Sequence, residues 1–175
     1  MTDAALPPLL LLDVDGVLNA VGGTTPGRER GVFAGYTLSW DPSVTGRLAE
    51  WHRDGRVELQ WLTTWARHAD ELLADPMGLP RGLRVHERPD GAGPTGFTGT
   101  LAGAPRWWKL AAARAVVDED PNRRVVWVDD DLALQAEDTQ AWLAEHGHVL
   151  VVAPELAEGL THEHLDAVER WLDGE

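Results

Sequence analysis

The sequence contains no cysteine, which excludes disulfide bonds and thiolate metal sites. It also lacks a long hydrophobic run, because the apolar stretch 9–12 is too short for a signal-peptide core or a membrane span. Positive charge is scarce, with 15 Lys and Arg against 29 Asp and Glu and a net charge of −14. Such a chain repels nucleic acid and anionic membranes as a whole. We therefore expect a cytoplasmic protein without a membrane partner, in which a local patch or a bound cation holds any polyanionic substrate.

What is present indicates a globular α/β protein. The 175 residues, 43% of them hydrophobic, predict one domain spanning 1–175. Apolar runs alternate with helical patterns, which is typical of a parallel sheet flanked by helices. The predicted strands are 9–12, 57–62, 83–86, 125–128 and 148–152. The predicted helices are one from an Asp41 cap to Gly55, 66–74, 106–117, 139–145 and a last helix capped by Thr161. The Gly-rich stretches 22–39 and 88–105 predict loops or small hairpins.

Acidic and hydroxyl side chains follow three of the predicted strands. They are Asp13 and Asp15, then Thr63 and Thr64, then Asp129, Asp130 and Asp131. Because parallel strands bind ligands at their carboxyl ends, we expect these side chains to converge, with Lys109 near the start of a helix leading into the same edge. Clustered carboxylates repel one another, and a hard divalent cation relieves that repulsion. Mg²⁺ is typically bound through one or two carboxylates plus a substrate phosphate, so the pattern predicts a Mg²⁺ site.

Other acidic motifs fit less well. A calcium-binding loop needs a further ligand before its glycine and a distal Glu, and neither spacing is met. The Asp-x-Asp of a nucleotide-sugar transferase normally follows a nucleotide-binding region, whereas only a dozen residues precede Asp13. In a phosphoacceptor receiver domain the acidic cluster comes entirely before the Thr and Lys, whereas here Asp129 and Asp130 follow both.

Four segments together resemble the haloacid dehalogenase (HAD) superfamily. LLLLDVDGVLN resembles its first motif, VELQWLTTW its second, Lys109 in RWWKL its third, and VVWVDDD its fourth. The segments WLTTW, VWVDD and GLTHEHLDAVERWL are similar in sequence to the small HAD domains of the Swiss Army Knife RNA-repair group. The resemblance implies an HAD-like Rossmannoid fold, a parallel central sheet flanked by helices. Both insertion points hold too few residues for a lid domain, so we expect a capless fold or one with minimal cap insertions.

The resemblance also implies roles for individual residues. Asp13 would be the nucleophile that forms an aspartyl-phosphate, and Asp15 the general acid and base. Mg²⁺ would be held by Asp13, the backbone carbonyl of Asp15 and Asp130, with Asp129 supporting the site. Thr63, preferred over Thr64 as the first hydroxyl after the strand, and Lys109 would hold the phosphoryl group.

These expectations describe a Mg²⁺-dependent phosphatase acting on a phosphomonoester, such as a nucleic-acid end or a nucleotide. An open site suits a phosphate on a large body, because small metabolites usually need a lid. In the first loop Arg28, Arg30, Phe33, Tyr36 and Trp40 have a composition that stacks bases and contacts phosphates, or that simply anchors the loop. The alternative function is a non-catalytic HAD-like module that binds a phosphorylated partner.

Overall fold

The computed structural model describes residues 6–89, 97–98, 106–134 and 136–175. A parallel sheet of five strands lies at its centre. In their order across the sheet, the strands are β5 (Arg84–Val85), β4 (Glu58–Trp61), β1 (Leu9–Leu12), β8 (Val125–Val128) and β9 (Val149–Val152). The predicted parallel sheet is therefore confirmed, and β1 occupies its middle position.

Helices cover both faces of this sheet. They are α1 (Pro42–Arg53), α2 (Trp108–Glu119), α3 (Ala136–Leu143) and α4 (His162–Asp173). Asp41 caps α1 by accepting a hydrogen bond from the Ser43 N–H, and Thr161 caps α4 by accepting one from the His164 N–H. Among the described residues, no helix is long and apolar enough to cross a membrane.

The core is divided by the sheet into two layers, because successive side chains of β1 point to opposite faces. Leu10 and Leu12 pack with residues of α1 and α4 on one side. Leu9 and Leu11 pack on the other side with a cluster drawn mainly from α2 and β8. All four leucines are at most 2% exposed. The wholly apolar sequence of β1 follows directly from this double burial.

The segment between β1 and α1 forms an antiparallel hairpin of β2 (Glu29–Phe33) and β3 (Tyr36–Trp40). It contains no helix and is the only regular structure inserted there among the described residues. The second Gly-rich stretch, 88–105, lies largely outside the described residues; within it, β6 (Phe97–Thr98) pairs with β7 (Arg106–Trp107).

Three of the predicted helices begin at a different residue in the structure. Helix α2 begins at Trp108 rather than at 106, because Trp107 is extended and pairs within β7. The predicted helix 66–74 contains a π-helical turn at Ala69–Leu73, and Ala66 has a left-handed backbone with φ of 48° that delays the helix. Helix α3 begins three residues before its predicted start at Thr139.

Candidate active site

Three carboxylates meet at the carboxyl edge of the sheet. Asp13 follows β1, and its N–H donates to the Val128 carbonyl at 3.2 Å. Asp129 follows the neighbouring strand β8, and its N–H donates to the Val152 carbonyl at 3.0 Å. Oxygen atoms of Asp13, Asp129 and Asp130 lie within 4.8 Å of one another. The sequence prediction that the first and fourth acidic motifs converge therefore agrees with the geometry.

Lys109 lies between two of these carboxylates. Its Nζ is 2.5 Å from Oδ2 of Asp13 and 2.7 Å from Oδ2 of Asp129. Residue Lys109 is 2% exposed, Asp13 is 4% exposed and Asp129 is fully buried. Burial acts to lower the pKa of Lys109, but the charges of Asp13 and Asp129 outweigh it and raise the pKa. The ammonium is thus fixed in its charged form inside the protein.

The aspartates after β8 hold their protons more strongly than ordinary carboxyls. Burial, followed by the charge of Asp13, raises the pKa of Asp129 well above its usual range, against the opposing effect of Lys109. Burial and the charges of Asp13 and Asp131 raise the pKa of Asp130 to about 6. One lysine charge does not compensate three clustered carboxylates, so the site favours an additional cation.

The turn after β1 fits closely around Asp130. Gly16 has a φ of +71°, and a Cβ placed on it would lie 2.2 Å from the Asp130 carboxyl carbon. The glycine therefore serves two purposes, since it adopts a left-handed backbone and lets a carboxylate approach the main chain. The absence of a side chain at position 16 allows Asp130 to lie beside Asp13, and this arrangement is compatible with a cation site.

Asp15 is placed differently from the three clustered carboxylates. Its Oδ1 accepts a hydrogen bond from Asn19 Nδ2 at 2.7 Å, and its Oδ2 accepts one from Trp65 Nε1 at 2.9 Å. Its carboxylate is not part of the group of Asp13, Asp129 and Asp130. The predicted contribution of Asp15 to metal binding therefore involves its backbone carbonyl alone, while its side chain lines a cleft.

That cleft has a volume of about 610 Å³. It lies between the turn after β1, the start of β3 and the segment that follows β4. The side chains that line it are mainly polar and aromatic: Asp15, Asn19, Val21, Tyr36, Thr37, Thr64, Trp65 and His68. Tyr36 is 67% exposed, and its ring meets that of Trp65 edge-on at a centroid distance of 5.9 Å.

The two threonines of the second motif occupy different environments. Thr63 is completely buried, and its Oγ1 accepts a hydrogen bond from the Trp65 N–H at 3.3 Å. Thr64 is exposed and lines the cleft. The Leu62 N–H donates to the Leu12 carbonyl, so the pairing of β4 with β1 continues to the edge where Asp13 lies. Thr63 is thus brought to the predicted edge of the sheet.

The aromatic and cationic residues of the first loop lie in different environments. Arg28 donates hydrogen bonds to the carbonyls of Leu18, Ser39 and Glu158, so it anchors the loop. Trp40 is buried and contacts Phe33. Tyr36, in contrast, faces the cleft.

Sequence reasoning missed three residues of the site: Gly16, Asn19 and Trp65. Gly16 and Asn19 lie in the first motif and Trp65 lies in the second. The expected chemistry of Asp15 could have pointed to two of them. A carboxylate expected to work as an acid and base needs partners, and Asn19 and Trp65 are side chains of those motifs that carry N–H donors. For Lys109, which the sequence did predict, a supporting signal is that it is the only lysine in the sequence.

The family comparison agrees with this geometry. The family model for the HAD domain in Swiss Army Knife RNA repair proteins matches residues 9–165, which is most of the chain. No curated protein and no solved structure gives a significant match. The matched range contains the three clustered carboxylates, Asp15, Thr63 and Lys109. The chain therefore belongs to the HAD domain family of Swiss Army Knife RNA repair proteins, and its α/β sheet has the Rossmannoid form expected of that family.

Proposed function

We propose that this protein is a Mg²⁺-dependent phosphatase that hydrolyses a phosphomonoester through an aspartyl-phosphate at Asp13. The observation that carries the proposal is the group of Asp13, Asp129 and Asp130 with Lys109 in its midst. Membership of an HAD family supports a phosphatase-like activity. We also propose that residues 1–175 act as one domain in the cytoplasm, in keeping with the absence of cysteine.

The proposed cation would be held by Asp13, Asp130 and the backbone carbonyl of Asp15, with Asp129 supporting them. Their oxygen donors suit Mg²⁺, and the Gly16 turn keeps Asp130 close to Asp13. When bound, Mg²⁺ supplies charge compensation for the phosphoryl group and for the clustered carboxylates.

The chain's own residues perform the chemical steps. An oxygen of Asp13 attacks phosphorus and the bond from phosphorus to the ester oxygen breaks, while Asp15 gives its proton to the departing oxygen. Asp15 then takes a proton from a water molecule whose oxygen attacks the phosphorus, which yields inorganic phosphate and restores Asp13. Lys109 and the hydroxyl of Thr63 stabilise the charge on the phosphoryl oxygens. Lys109 also holds the Asp13 carboxylate in place through the hydrogen bond that its Nζ donates to Oδ2.

The substrate that we propose is a nucleic-acid end or a nucleotide. The cleft beside Asp15 has an exposed aromatic side chain, Tyr36, adjoining Trp65, and this pair suits stacking of a base. No lysine or arginine is among the described residues that line the cleft. The group next to the transferred phosphate is therefore expected to be an uncharged ring rather than a second phosphate.

The decisive assay is hydrolysis of 4-nitrophenyl phosphate with Mg²⁺ by the parent, by Asp13→Asn and by Asp118→Asn. Asp118 is exposed on α2 and provides a matched charge-removing control. We expect the Asp13 variant to lose at least about 100-fold in kcat while the Asp118 variant keeps its activity. Inertness of the parent towards this ester and towards a wide phosphoester panel would instead support the non-catalytic module.

The substrate class is tested by a panel of RNA and DNA oligonucleotides with 3′- and 5′-phosphates, nucleoside monophosphates and alkyl phosphates. Tyr36→Ala is expected to raise KM about tenfold for esters that carry a base, because stacking on an aromatic ring is worth ~1–3 kcal/mol. KM for alkyl phosphates should not change. Equal changes in KM for the two kinds of ester would remove the support for base stacking.

A further inference from the structure

Both carboxylate oxygens of Asp15 accept hydrogen bonds, one from Asn19 and one from Trp65. We propose that Trp65 and Asn19 are positioning residues that hold the Asp15 carboxylate in the direction needed for proton transfer, and that the β2–β3 hairpin fixes both of them. This inference rests on the proposed function.

Both oxygens of Asp15 are held by side chains from different parts of the chain. Asn19 Nδ2 binds Oδ1 at 2.7 Å from within the same turn, and Trp65 Nε1 binds Oδ2 at 2.9 Å from the segment after β4. A carboxylate held at only one oxygen can rotate about its side-chain bonds, whereas one held at both has a defined plane. Each oxygen keeps a second position for a hydrogen bond, so a protonated Asp15 can still donate towards the cleft.

The hairpin supports each of these donors separately. The Ser39 N–H on β3 donates to Asn19 Oδ1 at 2.8 Å, which fixes the amide so that its Nδ2 faces Asp15. Tyr36, at the beginning of the same strand, packs edge-on against the ring of Trp65. Two contacts from one strand therefore set the two hydrogen bonds to Asp15. The hairpin is too small to be a lid, but it is well placed to align the proton donor.

The chemical consequence depends on the leaving group. Asp15 must give its proton to the ester oxygen as the bond to phosphorus breaks, and this help matters when that oxygen is a strong base, as in an alkyl ester. An activated aryl ester such as 4-nitrophenyl phosphate releases a weakly basic oxygen and needs little protonation. Misalignment of Asp15 should thus affect the first kind of substrate much more than the second.

The experiment compares kcat/KM for an alkyl phosphate and for 4-nitrophenyl phosphate in the parent and in Trp65→Phe. Phenylalanine keeps an aromatic ring beside Tyr36 but removes the N–H donor. Because kcat/KM includes the step in which the leaving group departs, it reports on protonation even if hydrolysis of the aspartyl-phosphate limits kcat. We expect a fall of about 10–100-fold for the alkyl ester and less than about 3-fold for the aryl ester.

Two further variants make the interpretation specific. Trp51→Phe, on α1, is the matched control for losing an indole, and it should leave the ratio of the two kcat/KM values unchanged. Asp15→Asn should shift the ratio in the same direction as Trp65→Phe. The double variant should show no additional shift, because Trp65 acts through Asp15.

These measurements distinguish failure of the positioning role from failure of the proposed phosphatase activity. If the parent hydrolyses both esters but Trp65→Phe lowers both values equally, or neither, the positioning role is wrong while the phosphatase proposal remains. An additive shift in the double variant also overturns the positioning role. If the parent hydrolyses neither ester, the proposed function is wrong and this inference is lost with it.

Discussion

Lys109 shows how one side chain stabilises a site that would otherwise repel itself. It forms buried ion pairs with Asp13 and Asp129, two carboxylates that come from neighbouring strands. A buried pair is weak evidence for net stabilisation, but removing one partner leaves the other charge unpaired and is costly. A lysine suits this position because its compact ammonium reaches both carboxylates from a flexible stem.

Lys109→Met is therefore expected to lower the free energy of unfolding by about 3–5 kcal/mol in the absence of metal ions. The measurement is urea-induced unfolding in the presence of EDTA. Mg²⁺ should recover part of the loss, because it compensates the carboxylates that the lysine has left. The control is Arg114→Met, which removes an exposed cation from the same helix and should cost less than about 1 kcal/mol. Equal losses in the two variants would contradict the account of Lys109.

Asp130 predicts a pH dependence. Because its pKa is raised to about 6, mainly by burial, the folded protein binds this proton more strongly than the unfolded chain does. Above about pH 4, the unfolded carboxyl has released its proton, so this group lowers the free energy of unfolding as pH rises from about 4 through 6. Above about pH 7 both states have released the proton and the free energy no longer changes because of this group.

Asp130→Asn removes this contribution. Without metal, the variant should gain stability relative to the parent as pH rises from about 4 to about 7, with the difference levelling off above the folded pKa. Unfolding curves in EDTA across this range provide the test, with Asp118→Asn as the control. At about pH 7, Mg²⁺ should stabilise the parent more than the variant. A stability difference that does not vary with pH would show that the Asp130 carboxyl titrates normally.

At the scale of elements, the site depends on the turn that follows β1. Within this turn, the Gly16 N–H donates to the Asn19 carbonyl, and the glycine lies against the Asp130 carboxylate. The same turn places Asp13 beside Asp129 and Asp130, and it places the side chain of Asp15 at the cleft. A single turn thus separates the proposed nucleophile from the proposed proton donor.

Gly16→Ala should displace Asp130 and weaken Mg²⁺ binding by at least about tenfold, because no methyl group fits 2.2 Å from a carboxyl carbon. The matched control is Gly55→Ala. Gly55 has nearly the same backbone, with a φ of +70°, but no atom lies within 4 Å of its added Cβ. Both variants carry a backbone strain of about 1 kcal/mol, and only the first should lose Mg²⁺ affinity in a calorimetric titration. Similar affinities in the two variants would show that the contact with Asp130 is unimportant.

At the scale of the whole molecule, the sequence predicted the sheet and its acidic edge well, because these depend on local patterns. The apolar runs of β1 and β8 are unambiguous, and the residues that follow parallel strands must share an edge. The start of α2 was harder to predict, since Trp107 is apolar in either conformation and only its pairing within β7 makes it extended.

The parts of the site that sequence reasoning missed depend on contacts between distant residues. The hydrogen bond from Trp65 to Asp15 joins residues 50 positions apart, and neither motif alone predicts it. The close packing of Gly16 against Asp130 likewise requires the two strands to be adjacent in space. Residue types and spacing predict which groups gather at an edge, whereas the directions of individual side chains follow from tertiary packing.

The central claim is that Asp13 becomes phosphorylated, and it requires residues as far apart in the sequence as Asp13 and Asp130 to act together. The most direct test is to trap that intermediate in Asp15→Asn, using 4-nitrophenyl phosphate and Mg²⁺, acid quenching and mass spectrometry of the intact protein. The activated ester can phosphorylate Asp13 without an acid, while loss of the base at position 15 slows hydrolysis. We predict a protein heavier by one phosphoryl group, with the label mapped to Asp13 and absent from Asp13→Asn. Hydrolysis of the ester by the parent with no phosphorylated protein in the variant, or with the label on another residue, would contradict the account.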